Sequence, residues 1–439
     1  MEKDKLRRKM IMTCFKAGFG KIDITPDLPV CTLYTRDKNQ IADKITSRLY
    51  VRTAVFENDK VKIAIISGDL LALDSDFTTR VKKKIKRLGF KPENIMISCT
   101  HTHTAPNTIN FNGPKFLKKE KGYLKKLETK IVECASSAQK DLKSAKIGIG
   151  KTKIDLNVNR REIGRMSEVN DLNSPTGLTD NETGIIFIEQ NGIKKPSVIV
   201  NYAAHPLSMG KKSIKTISSD FPGEMSRIME KDFKCVMFLQ GCAGNINVKI
   251  SGKLKVARKA GRIMADAVRN VYKNVSWEAD CKLDMKTSEI DMPVDALEVS
   301  IKAHLEKKET ENISTKEWLK KALKKARNTR SVKTIVQTIQ ISQAYLIALP
   351  GEQFIETALE IKKKSGKENC FVAAYANCGE IGYVPSPKAF KKGGYEVDEA
   401  YKYYGDHVYR NSPAAPSAFV KKALSLLKIT NRKKGDWIR

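Results

Sequence analysis

The sequence predicts an α/β fold with mixed, largely buried β-sheets flanked by helices. Apolar strand-like runs alternate with helical segments, as in the strands within 41–57, the helix 77–88 and the strand 94–99, and such alternation is typical of α/β folds. The 439 residues contain no Pro/Gly/Ser-rich linker, internal repeat or low-complexity segment. Because the candidate site motifs run from residue 69 to residue 395, we expect one interwoven domain over residues 13–430.

Six short apolar runs are predicted to be strands whose carboxyl ends meet at one cavity. Each run gives way to polar or turn-forming residues. They end at Asp69, Cys99, Tyr202, Gln240, Leu349 and Tyr375. Two helices follow such runs, over 221–233 and 354–363, and Asp220 is predicted as the N-cap of the first.

Two of the five histidines, His101 and His103, lie within three residues of each other directly after the strand 94–99. In an extended segment, side chains at i and i+2 point to the same side, so both imidazoles would face one cavity. Neutral imidazoles beside an open strand end suit a catalytic metal. Surface loop histidines are the alternative.

His205 has the same setting, because it follows the strand 196–202 and precedes Pro206. Glu352 lies just before the helix 354–363, where the helix dipole favours an ionised carboxylate, so it is either a metal ligand or a helix-start residue. Tyr383 and Tyr395 lie in glycine-rich turns, and packing roles are the alternative for both. The charged or polar neighbours of His304 and His407 predict solvated positions for these two histidines.

The chain resembles the catalytic domain of the neutral/alkaline (non-lysosomal) ceramidase family over nearly its whole length. The similar segments occur in the family's order: Ala17 to Pro26, His101-Thr102-His103, Asn157 to Arg160, the His205 segment, Pro350-Gly351-Glu352 and the pair Gly382-Tyr383 and Tyr395-Glu396. The resemblance implies one Zn²⁺ ion held by His101, His205, Glu352 and Tyr383. It also implies that His103, Arg160 and Tyr395 line the substrate's polar head and the developing oxyanion.

The sequence departs from the family where the ceramidases carry a Gly-Asp-Val-Ser-Pro-Asn stretch with a proposed serine nucleophile. Here Asn247 takes the place of the serine and Asn245 that of the aspartate. A carboxamide is not a nucleophile, and Cys242 has no partner base in sequence, so we expect Cys242 to pack in the turn. Water activated by the metal is then the expected attacking group. Asp69 is predicted to orient a ligand histidine, and Asp220 is a second candidate for this role.

The formal net charge of +32 raises the possibility of polyanion binding. The lysines form short clusters on predicted helices without interleaved aromatics, and no nucleic-acid-binding motif is present, so no specific nucleic-acid partner is expected. The segment 295–328 is rich in Lys and Glu and predicts an exposed helical excursion. The nine cysteines, several of them within apolar strands, and the absence of a signal-peptide core or membrane span predict a cytoplasmic protein.

The sequence therefore predicts a zinc-dependent hydrolase of linear amide (N-acyl) bonds, with a small-molecule or lipid-like N-acyl substrate. A metal-binding relative that has lost hydrolytic activity is the alternative, since the nucleophile segment is altered. The chain ends about 45 residues after Tyr395, so the C-terminal β-sandwich of full-length ceramidases is expected to be absent. The oligomeric state is left open.

Overall fold

The computed structural model describes residues 15–35, 37–161, 177–210, 213–306, 312–325 and 329–429. The strands are β1 Lys16–Asp23, β2 Lys44–Ile45, β3 Tyr50–Glu57, β4 Lys62–Gly68, β5 Ile95–Cys99, β6 Lys143–Lys153, β7 Asn157–Asn159, β8 Glu182–Gln190, β9 Ser197–Tyr202, β10 Thr216–Ile217, β11 Val236–Gln240, β12 Ile246–Val248, β13 Trp277–Glu278, β14 Leu283–Pro293, β15 Ser331–Ile341, β16 Ala344–Ala348, β17 Glu352–Gln353, β18 Asn369–Ala373 and β19 Tyr383–Val384. The helices are α1 Ser75–Ile85, α2 Lys121–Lys140, α3 Asp220–Met229, α4 Leu254–Tyr272, α5 Leu297–Glu306, α6 Ile313–Lys324, α7 Ile355–Ser365, α8 Pro387–Lys392, α9 Tyr395–Asp398 and α10 Ala415–Ile429.

The larger sheet has nine strands and is mixed, which confirms the predicted fold class. Its order is β11-β9-β8-β6-β1-β3-β4-β5, with β13 also paired to β6. The pairs β11–β9 and β4–β5 are parallel and the others antiparallel. The two ends of this sheet approach each other. A hydrogen bond joins them, in which the Ser67 hydroxyl on β4 donates to the Phe238 carbonyl on β11 at 2.6 Å.

A smaller sheet, β14-β15-β16-β18, packs against one face of the larger one. The core between the two sheets joins apolar side chains from both, such as Phe56 and Ile186 of the larger sheet and Leu346 and Phe371 of the smaller. Helices cover the outer faces of the two sheets. Two groups of helices, α1 with α2 and α3 with α4, pack on the larger sheet. Helices α7 and α10 pack on the smaller sheet. Strands buried on both faces explain why their sequences are continuous apolar runs.

This topology brings the ends of parallel strand pairs to one region of the molecule. The pairs β4–β5, β9–β11 and β16–β18 are each parallel, so the two strands of each pair end on the same side. The predicted strand ends agree with the structure to within about two residues, which is the usual uncertainty of element boundaries. Glu352 differs slightly from its prediction, because it lies in the short strand β17 and α7 begins three residues later.

The prediction of solvated positions for His304 and His407 is wrong, because both are buried, at 4% and 5% exposure. His304 packs edge-on against Trp318 of α6, with ring centroids 5.4 Å apart. The Trp318 indole in turn donates to the Val408 carbonyl at 2.8 Å. The charged neighbours of His304 lie on the opposite side of α5, which misled the sequence prediction.

The predicted excursion over 295–328 contains α5 and α6, and one side of each helix is buried. Residues 13, 14, 307–311, 326–328 and 430, which belong to predicted segments, lie outside the described residues. In the part of the chain that the structure describes, no helix combines the length and apolarity needed to cross a bilayer.

Two glycines let α2 lie directly on β1. A Cβ atom at Gly18 would lie 2.1 Å from the Ala138 carbonyl oxygen, and one at Gly20 would lie 2.4 Å from the Cys134 carbonyl oxygen. Neither distance is possible for a real side chain. The two glycines therefore set the spacing between this helix and the sheet.

We expect Gly20→Ala to lower the free energy of unfolding by about 1–3 kcal/mol, because the added methyl group forces the α2 backbone away from β1. Gly122→Ala is the matched control. Gly122 lies on α2, the helix that packs against Gly20, and has open space around it. Alanine is favoured over glycine at such a helix position by about 0.5–1 kcal/mol. Urea unfolding of both variants measures the difference, and equal effects would contradict the packing assigned to Gly20.

Candidate active site

The side chains of His101, His205 and Glu352 converge on one point. The Nε2 atoms of His101 and His205 are 3.1 Å apart, and each lies 3.2 Å from the Glu352 Oε2 atom. All three side chains are buried. Three of the four predicted ligands therefore come together from three different strand segments.

The hydrogen bonds of the two imidazoles fix their tautomers. His101 Nδ1 lies 2.8 Å from the Leu71 carbonyl oxygen, and His205 Nδ1 lies 2.5 Å from the Ala243 carbonyl oxygen. A carbonyl only accepts, so each Nδ1 carries a proton, and in the neutral form of either ring Nε2 presents a bare lone pair to the cluster. Burial lowers the pKa of His205 to about 4, which favours this neutral form.

His103 joins the same cluster, with its Nε2 atom 3.3 Å from that of His101. The ligand nitrogens of the three histidines all lie within 4.8 Å of one another. Burial and the neighbouring imidazoles hold the pKa of His103 well below its usual range. The predicted extended geometry is wrong, because His101 has φ +70°. A left-handed residue, rather than strand alternation, turns the two rings together, a strain often found at functional sites.

The cluster has the spacing of a metal centre. Two ligand atoms about 2.0–2.1 Å from a tetrahedral zinc ion are about 3.3–3.4 Å apart. The observed separations of 3.1–3.3 Å are close to that value. When both imidazoles are neutral, their Nε2 lone pairs and the carboxylate face one point, and a cation fits there.

Glu352 is held as an anion. The Tyr404 hydroxyl donates to its Oε1 atom, whereas Oε2 accepts no hydrogen bond of regular geometry from the described residues. Donation from the Tyr404 hydroxyl favours the ionised form of the carboxyl group. Such a carboxylate directs one lone pair at the cluster.

Tyr383 is placed beside Glu352 by the sheet register. The two residues are paired partners in the parallel strands β17 and β19. The Asn411 carboxamide donates to the carbonyls of Ile381 and Tyr383 at 2.8 and 2.7 Å and so holds the turn. Burial raises the pKa of Tyr383 well above its usual range, so its side chain is a neutral phenol.

Arg160 brings a buried positive charge to the same site. Its Nε atom donates to Glu396 at 2.9 Å and its Nη1 atom to the Asn247 carboxamide oxygen at 3.4 Å. The guanidinium lies 5.4 Å from the centroid of the Tyr383 ring. Its Nη2 atom is buried and makes no hydrogen bond of regular geometry with the described residues, so it is available to an anionic group.

Tyr395 begins the short helix α9, and its ring lies 5.9 Å from that of Tyr383. Both rings, and that of His103, are partly exposed, whereas His101 and His205 are buried. The partly exposed side chains therefore lie on the side of the cluster that solvent reaches. Burial is the main cause that raises the pKa of Tyr395, so the phenol stays a hydrogen-bond donor at neutral pH.

The segment that departs from the family motif has structural roles in this chain. Asn245 accepts a hydrogen bond from the Ile355 amide at 2.9 Å and donates to Glu356 at 2.9 Å, which caps α7. Asn247 lies on β12 and forms a main-chain β-bridge with His205. Its side-chain oxygen accepts a hydrogen bond from Arg160. Cys242 is fully buried, and burial raises the pKa of its thiol, which opposes a nucleophilic thiolate.

The prediction that Asp69 supports a ligand histidine is wrong. Its carboxylate accepts from the Tyr50 amide at 2.9 Å and from the Arg52 guanidinium at 3.0 Å. Main-chain carbonyls orient the histidines instead. Asp220 accepts from the amides of Ser208 and Met209, at 3.2 and 3.0 Å, so it fixes the loop after His205 rather than a histidine ring.

Three residues around the site carried no clear signal in the sequence. Tyr404 binds Glu352, Glu396 pairs with Arg160, and the Tyr375 ring stacks on His101 with centroids 4.2 Å apart. The strand end at Tyr375 and the family-like segment Tyr395-Glu396 pointed to this region, but no role was predicted for these side chains. Tyr404 lies in an irregular segment and Glu396 in the four-residue helix α9, so the positions of both depend on tertiary packing.

Comparisons with known proteins agree with the fold. The family model described as neutral/alkaline non-lysosomal ceramidase, N-terminal, matches residues 15–247. A crystal structure of neutral ceramidase from Pseudomonas aeruginosa aligns with a TM-score of 0.72 at 17% identity, covering 95% of this chain and 75% of that chain. A structure described as ceramidase complexed with C2 aligns with a TM-score of 0.71 at 14% identity, covering 94% and 75%. A comparison with curated protein sequences found no match.

We expect Asp69→Asn to lower the free energy of unfolding by about 3–5 kcal/mol, because it leaves Arg52 as a buried charge without its close partner. Metal content per folded molecule should stay unchanged, since Asp69 does not touch the cluster. Asp27→Asn is the control, because it removes an exposed pair with Lys126 and should have no measurable effect. Urea unfolding and metal analysis test both variants. If the folded Asp69→Asn variant lost its metal, Asp69 would regain its predicted role in the site.

Proposed function

The chain belongs to the neutral/alkaline non-lysosomal ceramidase family, a family of hydrolases, and we propose that it hydrolyses linear amide (N-acyl) bonds with one zinc ion. The observation that carries the proposal is the convergence of His101, His205 and Glu352, whose two Nε2 atoms and one carboxylate oxygen lie 3.1–3.2 Å apart. Three electron-pair donors at this spacing repel one another unless a cation lies between them. Two imidazoles and a carboxylate are ligands that zinc accepts.

We assign His101, His205, Glu352 and Tyr383 as the ligands. A bound zinc ion supplies Lewis acidity toward a carbonyl and lowers the pKa of a water. Arg160 and Tyr395 are positioned to donate to negative charge that develops on the substrate carbonyl oxygen, because one has an uncommitted Nη2 atom and the other a neutral phenol. His103, neutral and partly exposed at the edge of the cluster, is assigned the proton transfer at Nε2.

Water is the proposed attacking group. Asn247 has no nucleophilic atom and is already bonded to Arg160, and the buried Cys242 thiol has no described base beside it and resists ionisation. The substrate class we propose, a small-molecule or lipid-like N-acyl compound, rests on the family. The cytoplasmic location is likewise a proposal, from the buried free cysteines.

The alternative, a metal-binding protein without hydrolytic activity, is favoured only by the altered segment at Asn245 and Asn247. The burial of Arg160 beside the cluster argues against it. Metal binding alone needs no second cation, because a buried guanidinium close to a metal ion is repelled by it. A site that stabilises developing negative charge does need one.

We expect His205→Ala to lose both bound zinc and amidase activity, because it removes one of the two buried nitrogens. His103→Ala should keep zinc and lose activity, since His103 is assigned proton transfer. His304→Ala, which removes a buried histidine outside the cluster, should keep both. Metal analysis of the purified variants and a panel of N-acyl substrates test these outcomes. Full zinc occupancy in His205→Ala would refute the ligand assignment, and zinc loss in His103→Ala would make His103 a ligand.

We expect Tyr395→Phe to lower kcat by roughly 10²–10³-fold with a smaller effect on KM, as for loss of one oxyanion donor. Cys242→Ala should leave kcat nearly unchanged. Steady-state kinetics on an N-acyl substrate measures both. Mass spectrometry of quenched turnover mixtures should find no acyl group on the protein. An adduct on Cys242 or any other side chain would overturn the water mechanism.

A further inference from the structure

We propose that the segment 404–411, called here the support segment, positions two of the four assigned metal ligands and so sets the affinity of the cluster for zinc. The inference rests on the proposed function, because it concerns the ligands Glu352 and Tyr383. These two residues are paired partners in β17 and β19, and each is held by a different part of the support segment. The side chains that hold them are all buried: Tyr404, His407 and Asn411.

Tyr404 positions Glu352. Its hydroxyl donates to the Glu352 Oε1 atom, which leaves Oε2 directed at the histidine nitrogens. The same ring lies against the turn before Tyr383, since a Cβ atom at Gly382 would lie 2.7 Å from a ring carbon of Tyr404. Gly382 has φ +64°, so glycine suits both the turn and this close approach. Tyr404 therefore fixes which carboxylate oxygen faces the cluster.

His407 positions Tyr383 through Asn411. The Asn411 carboxamide nitrogen donates to the carbonyls of Ile381 and Tyr383, at 2.8 and 2.7 Å, so its oxygen is the atom that faces away from this turn. That oxygen lies 3.2 Å from the His407 Nε2 atom. Because a carboxamide oxygen only accepts, Nε2 carries a proton and donates. Burial lowers the pKa of His407 to about 4, so the ring is a neutral donor at neutral pH.

The support segment is itself fastened along its length. Two side chains of α6 bind its middle: the Lys321 ammonium donates to the Gly405 carbonyl and the Trp318 indole to the Val408 carbonyl, at 2.8 Å each. At its end, Asn411 forms a main-chain β-bridge with the residue that follows β14. An irregular segment held at these points presents its side chains in fixed positions. The buried side of α6 thus contributes to the site by holding this segment.

Loss of either support should change how the ligands meet the metal. Without the Tyr404 hydroxyl, the Glu352 Oε1 atom loses its donor, and the carboxylate is free to rotate. Without the His407 donor, the Asn411 carboxamide is free to turn over, which would place its oxygen against two carbonyls. Groups that orient metal ligands typically change metal affinity by about 10–100-fold when they are removed. A role in folding alone would instead lower stability and leave the zinc affinity of the folded protein unchanged.

Zinc affinity of the full chain tests the proposal without any measurement of turnover. Metal-free protein is titrated with zinc in competition with a chelating dye. Tyr404→Phe and His407→Leu each remove one donor, whereas His407→Gln keeps an N–H group near the position of Nε2. The matched control is Tyr345→Phe, which removes a hydroxyl that accepts from Gln340 at 3.1 Å near the start of β16. Urea unfolding of the metal-free proteins measures stability separately.

We expect Tyr404→Phe and His407→Leu to weaken zinc binding by about 10–100-fold, and His407→Gln and Tyr345→Phe to weaken it by no more than about threefold. A double-mutant cycle tests the route through Tyr383. In a Tyr383→Phe background, His407→Leu should have little further effect on zinc affinity, because the ligand that it positions has been removed.

Two results would overturn the inference alone. One is unchanged zinc affinity in both Tyr404→Phe and His407→Leu, with zinc bound by the wild-type protein. The other is an equal effect of His407→Leu with and without the Tyr383 hydroxyl, because His407 would then act on the fold as a whole. A wild-type protein that binds no zinc would overturn the proposed function, and this inference with it.

Discussion

The candidate site depends on one unfavourable arrangement, the meeting of three electron-pair donors away from water. When neutral, His101 and His205 point bare Nε2 atoms at each other and at the Glu352 carboxylate. Burying such groups costs several kcal/mol unless a cation compensates them. The surrounding chain holds the arrangement by main-chain carbonyls on each Nδ1 and by the Tyr404 hydroxyl on the far oxygen of Glu352. Because these contacts fix both tautomer and charge, the geometry suits a metal ion before the ion binds.

The sheets bring together His101, His205 and Glu352, which are far apart in the sequence. The two ends of the larger sheet approach each other, so the segment after β5 meets the segment after β9. The β17 strand then passes close to the turn before β12. A Cβ atom at Gly244 would lie 2.5 Å from the Glu352 carbonyl oxygen, so a glycine is required for this approach. The turn at Gly244 therefore has a packing role in placing the carboxylate.

The sequence predicted the residues whose positions follow from strand ends and failed for those set by packing between distant segments. His101 and His205 each follow a buried strand, and a strand end fixes where the next few residues lie. Asp69 also ends a strand, but whether its carboxylate turns toward a histidine or toward Arg52 depends on side-chain contacts that no periodicity encodes. For the same reason Tyr404 was missed, since it lies in an irregular segment held by Asn112 and Asn110. The prediction of an exposed position for His304 failed for another reason, because its polar neighbours along the chain lie on the other side of its helix.

The carboxamide at position 247 affects the charge balance of the site. Arg160 is buried between the Glu396 carboxylate and the neutral Asn247 carboxamide. An aspartate at 247 would neutralise the guanidinium, and an alanine would leave Nη1 without its acceptor. The carboxamide orients the guanidinium and leaves its charge undiminished on the side of the metal cluster. Since Glu396 is also shared with Arg161, the two arginines and one carboxylate retain a net positive charge. Such a charge stabilises an oxyanion and disfavours a second metal ion, so the site suits one ion and one developing negative charge.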